Sequence, residues 1–154
     1  MNSRIKTNNQ VLVLHSDTNR SEDIENFLNH IFDGSCLNKT MFNKVLLCIS
    51  EGVSNAIDHG NKNNDGKSVR IEVEVERETV WITIEDEGNG FNFRNLPNPT
   101  TGKNLKKERG RGLFIIKTYA DEIGFDKNGS VLKIKFDLSA EDKVLSRKYS
   151  DNRN

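Results

Sequence analysis

Little in this 154-residue chain points to a covalent staple, a membrane or a nucleic acid. It has only two cysteines, Cys36 and Cys48, without C-x-x-C spacing and among apolar neighbours. A disulfide framework and a thiolate metal site are therefore not expected; both read as buried free thiols in a reducing cytoplasm. No apolar run approaches the roughly 18 residues of a membrane helix, and no charged-then-apolar leader follows Met1. An excess of one charge is missing as well: 23 Lys and Arg balance 23 Asp and Glu. That leaves no global basic surface for nucleic acid or anionic lipid. Both prolines fall in one stretch, residues 92–109, and no internal repeat or domain linker breaks the rest.

What is present fits one polar globular domain. Apolar residues make up 34% and charged ones 30%, enough for a single sizeable core. Residues 1–9 read as a loose N-terminus, 10–138 as the domain and 139–154 as a polar tail. Val11 to Leu14 reads as a first strand. Ser21 is a candidate N-cap, with Glu22 and Asp23 in the first turn, where the helix dipole favours negative charge. Ile24, Phe27, Leu28 and Ile31 then recur at helical spacing and predict an amphipathic helix over 21–32. Val69, Ile71, Val73 and Val75 alternate with Arg70, Glu72, Glu74 and Glu76, the pattern of a strand with one wet face. At the far end, Ile123 to Asp126, the turn Asn128-Gly129, and Val131, Ile134 and Phe136 predict a hairpin.

Three segments carry more than core. The first is a helix from about Lys39 to His59. Val45, Leu46, Ile49, Val53, Ala56 and Ile57 share one face, and Glu51 points away from it at about 100° per residue. Asn55 and His59 follow at i+4 and i+8, so the three line a polar face. A solvated surface would account for that, but this face is short-armed (Ser50, Ser54, Asn55, Asp58) and lacks Lys between Lys44 and Lys62. The second segment is Asp86-Glu87-Gly88-Asn89-Gly90-Phe91, directly after the alternating Val80, Ile82 and Ile84. Two glycines after a strand-end carboxylate allow tight turning and close approach of a flat ligand. An acceptor-only carboxylate suits an exocyclic amine such as that of adenine. An ordinary hairpin turn has the same D-x-G-x-G pattern.

The third segment, Gly110-Arg111-Gly112-Leu113, is predicted to open a helix running to about Ile123, with apolar Leu113, Ile115, Ile116 and Tyr119. Glycines at a helix start leave unpaired N–H groups facing any anion, aided by the dipole. Between the second and third segments, residues 92–109 read as a long loop with Lys103, Lys106, Lys107 and Arg109. Loops of that length inside a domain tend to be functional, often lids.

Together, in this order and these contexts, the segments resemble the GHKL ATPase/kinase family. Glu51-Gly52-Val53-Ser54-Asn55-Ala56-Ile57-Asp58-His59-Gly60 looks like its N-box, Asp86 to Phe91 like its first glycine box, and Gly110 to Leu113 like its second. Within the family the chain resembles the small anti-sigma factor serine/threonine kinases, through Glu51 to Ala56 and Arg109 to Lys117. The resemblance implies an α+β two-layer sandwich, a mixed, mainly antiparallel sheet with helices on one face. It implies ATP and Mg²⁺ as cofactors. Asp86 would accept from the adenine amine while Gly88 and Gly90 let the base approach; Asn55 would coordinate Mg²⁺, with Asp58 and His59 beside it. Gly110 and Gly112 would present backbone donors to the phosphates, with charge from Arg109 or Arg111 and with Leu113 also at the nucleotide, and Glu51 would be the general base.

By the same resemblance the substrate would be an anti-anti-sigma protein of the STAS type, the competing partner a sigma factor, and the protein a homodimer. A non-catalytic module that binds Mg-ATP and holds a partner is the alternative; Glu51 and Asn55 favour the enzyme. A sensor histidine kinase is not expected, because of His15, His30 and His59 only His30 lies on an earlier helix, which is too short for a dimerising pair.

Overall fold

The structure is a computed structural model that describes residues 8–15, 20–32, 37–62, 64, 66–88 and 108–143. Its elements run β1 (Asn8–His15), α1 (Arg20–Phe32), α2 (Lys39–Asn55), a π-helical turn (Ala56–Gly60), β2 (Ser68–Val75), β3 (Thr79–Asp86), α3 (Glu108–Tyr119), β4 (Glu122–Asp126) and β5 (Val131–Asp137). The five strands form one sheet in the order β1-β2-β3-β5-β4. Each of the four pairings is antiparallel, so the sheet is antiparallel throughout the described residues. No described helix is long and apolar enough to cross a membrane.

The alternation in the strands sorts residues onto two faces, because side chains flip at every position. Val69, Ile71 and Val73 of β2, Val80, Ile82 and Ile84 of β3, and Ile134 and Phe136 of β5 are buried against the helices. Those helices return Ile24 and Leu28 from α1, Val45, Ile49 and Val53 from α2, and Leu113 and Ile116 from α3. The other face is polar and laced with charge. Arg70 pairs with Glu72 at 2.6 Å, and Lys135 lies 5.2 Å from the Trp81 ring centroid. This is the two-layer α+β sandwich expected.

Several boundaries differ from the sequence expectation. Helix α1 starts at Arg20, which places Ser21 inside the first turn rather than at the cap. Asn38 caps α2, accepting from the Met41 N–H at 2.8 Å. Helix α3 stops at Tyr119, not near Ile123, because the Asp121 N–H is taken by the Lys135 carbonyl at 2.9 Å and the chain enters the sheet. Tyr119, expected on the apolar face, is 42% exposed beside Lys44. The β4–β5 turn holds three successive residues at positive φ, Lys127, Asn128 and Gly129. The first residues of the polar tail are tied down: the Asn38 N–H donates to the Asp142 carbonyl at 2.7 Å and its side chain to the Glu141 carbonyl at 3.0 Å. Cys48 is a fully buried thiol, as expected, while Cys36 lies outside the described residues.

Candidate functional site

Gly52 fixes where α2 lies on the sheet. A Cβ there would stand 2.6 Å from Ile84 Cδ1 and 3.1 Å from Leu132 Cδ2, so only glycine lets the helix settle this close to β3 and β5. Glu51 and Asn55, one residue before and three after, turn toward α3. The helix does not continue regularly to His59. From Ala56 it widens into a π turn, closed by the Asn61 N–H on the Ala56 carbonyl at 2.8 Å. Such turns insert a residue into the helical ladder and recur at functional sites.

The π turn delivers Gly60 to the end of β3. A Cβ on Gly60 would lie 2.3 Å from the Asp86 carboxyl carbon, and one on Gly88 would lie 1.9 Å from the Gly60 carbonyl oxygen. Two glycine backbones thus close around the Asp86 carboxylate, which is 7% exposed. The turn is held residue by residue. The Asp86 N–H donates to the Ser130 carbonyl at 3.0 Å, the Glu87 N–H to Asn61 Oδ1 at 2.7 Å, and the Gly88 N–H to Asp86 Oδ1 at 2.8 Å. Gly88 was expected to make room for a flat ligand; here its missing side chain makes room for Gly60. Beside Asp86 runs a narrow cleft of about 10 Å³, lined in part by Asn55, Ile84, Leu113, Phe125 and Ser130. Leu113 therefore sits with Asp86. Gly90 lies outside the described residues.

Helix α3 completes the arrangement. It begins at Glu108, so Glu108 and Arg109 are helical rather than the end of a loop; residues 92–107 and the Arg109 side chain lie outside the described residues. Gly110 falls in the first turn, where N–H groups have no helical partner. Gly112 is the fifth residue of α3, in register for a helical hydrogen bond to the first. Its glycine character also serves a helix contact that the sequence did not indicate. A Cβ on Gly112 would stand 2.9 Å from Glu51 Oε2 and 3.2 Å from Asn55 Nδ2. The bare backbone of α3 lies directly on the two N-box side chains.

At this contact opens a cavity of about 340 Å³ lined by Glu51, Ser54, Asn55, Asp58, His59, Arg111 and Ile115. Four of the expected residues on and after α2 share it with Arg111; Ser54 and Ile115 were not singled out as site residues. Asn55 is 9% exposed, and its Nδ2 is buried without a hydrogen-bond partner. A buried donor left unmade is costly, and an anionic oxygen in the cavity would satisfy it. Glu51 is felt across the helix: burial, assisted by the Glu51 charge, pushes the Cys48 thiol up to about 12.

The donor set fits a metal that arrives with phosphates. No group of three or more His, Cys, Asp or Glu that could hold a metal occurs among the described residues. Mg²⁺ is commonly held by one or two protein oxygens, the rest coming from water and substrate phosphate. Asn55, Asp58 and Glu51 around one cavity are of that kind.

The pattern of the histidine kinase-like ATPase domain matches residues 16–136. The chain is 35% identical over 88 residues to the anti-sigma F factor of Bacillus licheniformis, which covers 55% of this chain and 60% of that protein. It is 35% identical over 103 residues to the anti-sigma F factor of Clostridium beijerinckii, covering 62% and 72%. For the anti-sigma F factor of Bacillus subtilis the figures are 32% over 102 residues, covering 62% and 69%. The chain thus spans between 60% and 72% of the length of these three relatives.

Proposed function

The chain belongs to the histidine kinase-like ATPase domain family, and from that premise we propose that it is an ATP-dependent protein serine/threonine kinase of the anti-sigma factor type. Its substrate is a STAS-like anti-anti-sigma protein, and a sigma factor is the partner it sequesters. The observation that carries this reading is the seating of α3 on α2: Gly112 rests on Glu51 and Asn55, and all but the glycine line one cavity with Arg111. A carboxylate, an amide and a guanidinium in one hollow supply a base, a metal ligand and a phosphate-binding cation.

The roles follow from side-chain chemistry. Asp86, an acceptor held by its own turn, takes the adenine amine, and Leu113 lines the same cleft. Asn55 would hold Mg²⁺, with Asp58 and His59 lining the hollow beside it. Held there, Mg²⁺ would supply positive charge against the phosphates. That charge is needed, because Glu51 and Asp58 place two carboxylates on the cavity wall beside the guanidinium of Arg111. The N–H of Gly110 and the side chain of Arg111 would meet the transferred group from α3, with Arg109 the other cation that the resemblance assigns to the phosphates. Glu51 accepts the proton of the partner's Ser or Thr hydroxyl as its oxygen bonds to the γ-phosphorus; the bond to the bridging oxygen breaks, and ADP leaves. Positioning and charge account for most of such a step.

The test is transfer of label from γ-labelled ATP, with Mg²⁺, to candidate STAS-domain proteins. Labelled Ser or Thr on one of them is the expected result. Tight ATP binding with no labelled partner across the set overturns the kinase reading.

A further inference from the structure

Asn61 is not a member of either glycine box, yet it is among the most buried polar residues described, at 2% exposure. It follows the π turn directly, and its own N–H closes that turn on Ala56. Its side chain reaches in two directions. Nδ2 donates to the carbonyl of Ser68, the first residue of β2, at 2.9 Å. Oδ1 accepts from the N–H of Glu87, the residue after Asp86, at 2.7 Å. The same two segments are joined a second time, by the Ser68 N–H on Glu87 Oε2 at 2.5 Å.

We infer that Asn61 is a positioning residue that sets the Asp86 carboxylate for base selection and registers it against the helix carrying Glu51 and Asn55. This rests on the assignment of Asp86 to the adenine amine. Of the three successive amides that fix the Asp86 turn, one is held by Ser130 and one by Asp86 itself. Only the Glu87 amide is held by a side chain from the end of the α2 segment. Asn61 is thus the polar link between the base-reading carboxylate and the phosphate side of the site. Gly60, whose backbone packs on the carboxyl group, precedes Asn61 directly in the chain. Discrimination between adenine, which offers an amine, and guanine, which offers a carbonyl at the same position, requires the acceptor to stay where the amine falls. A site built to pair one polar group rejects its absence strongly only while that geometry holds.

A purely structural role predicts something different, so the two are separable. Dissociation constants for ATP and GTP are measured by calorimetry, with melting temperature and turnover at saturating ATP, for wild type, Asn61→Ala and Asn61→Asp. Asn61→Ala should weaken ATP about tenfold, as for a lost buried hydrogen-bond pair. The preference for ATP over GTP should shrink by a similar factor, with turnover at saturating ATP within about threefold of wild type. Asn61→Asp keeps the acceptor for the Glu87 N–H and should restore most of the preference, while losing the donor to Ser68; it also serves if the alanine variant does not fold. A lower melting temperature with an unchanged ATP-to-GTP ratio in both variants overturns the inference. If wild type shows no preference for ATP, the nucleotide assignment fails first. If Asp86→Ala abolishes the preference and the Asn61 variants keep it, this inference fails alone.

Discussion

Replacing Gly112 by alanine should separate stability from activity. The new methyl carbon would meet Glu51 Oε2 at 2.9 Å and Asn55 Nδ2 at 3.2 Å, where ordinary contacts begin at 3.4 Å. Glu51 must therefore withdraw by about half an ångström and Asn55 by a few tenths. Both atoms end side chains, so the fold can absorb the shift. Against it stands a gain: alanine in a helix interior is favoured over glycine by about 0.5–1 kcal/mol. For a domain of this size that is worth about 1–4 °C in melting temperature, before the contact cost is subtracted. Catalysis has no such compensation. A misplacement of about 1 Å can cost about a hundredfold, so half of that should cost about tenfold. The assay pairs thermal unfolding with initial rates of phosphoryl transfer to a partner. The expected outcome is a melting temperature within about 3 °C of wild type and transfer reduced about tenfold. Transfer within twofold of wild type would refute the account of Gly112 as the seat of the base and the metal ligand.

Asp86→Ala removes the proposed adenine acceptor and the partner of the Gly88 N–H. A hydrogen bond to a charged group is worth about 1.5–3 kcal/mol, so calorimetry should show ATP affinity down tenfold or more and little preference over GTP. Gly60→Ala drives a methyl to 2.3 Å from the Asp86 carboxyl carbon; overpacking of this kind costs about 1–3 kcal/mol, visible in denaturant unfolding, and ATP binding should fall with it. Cys48, raised from 9.0 to about 12 by burial and then by Glu51, should resist thiol reagents at pH 8 in a Cys36→Ser background until the protein is unfolded. Because the folded thiol holds its proton to higher pH than the unfolded one, its contribution is complete below about pH 9 and is lost as pH rises toward about 12. A Cys48→Ala comparison by denaturant melts at pH 8 and pH 10 would show that loss.

The strands were legible because one face of each is core and the other wet, which leaves the alternation in the residues themselves. Helix α2 was legible to Asn55 for the same kind of reason. The π turn after it was not, since Ala56 and Ile57 are buried in either geometry and the apolar pattern does not change. Helix α3 misled at both ends: no capping residue announces Glu108, and two glycines early in a helix read as its start. Their spacing pointed to anion binding, whereas the Gly112 contact with Glu51 joins helices 61 residues apart in the sequence, which no local pattern encodes. Asn61 shows the limit most clearly. An asparagine after a glycine at a helix end reads as a cap, and its two bonds, 7 and 26 residues away, carry no spacing signal. Glu51, Asn55, Asp58 and His59 line one cavity because one helix and its widened end hold all four.

The central claim is that Glu51 is a base for phosphoryl transfer and not merely a wall of a nucleotide-binding cavity. Glu51→Gln keeps its shape and removes its proton affinity. Nucleotide binding by calorimetry and transfer of label from γ-labelled ATP to a STAS-type partner, measured side by side, decide the matter. The account predicts ATP affinity near wild type and transfer lower by about 10²–10⁴, with Asn55→Ala instead weakening Mg-ATP itself. Equal transfer by wild type and Glu51→Gln, or wild-type protein that binds ATP and partner yet moves no phosphate, would contradict it and leave a binding module.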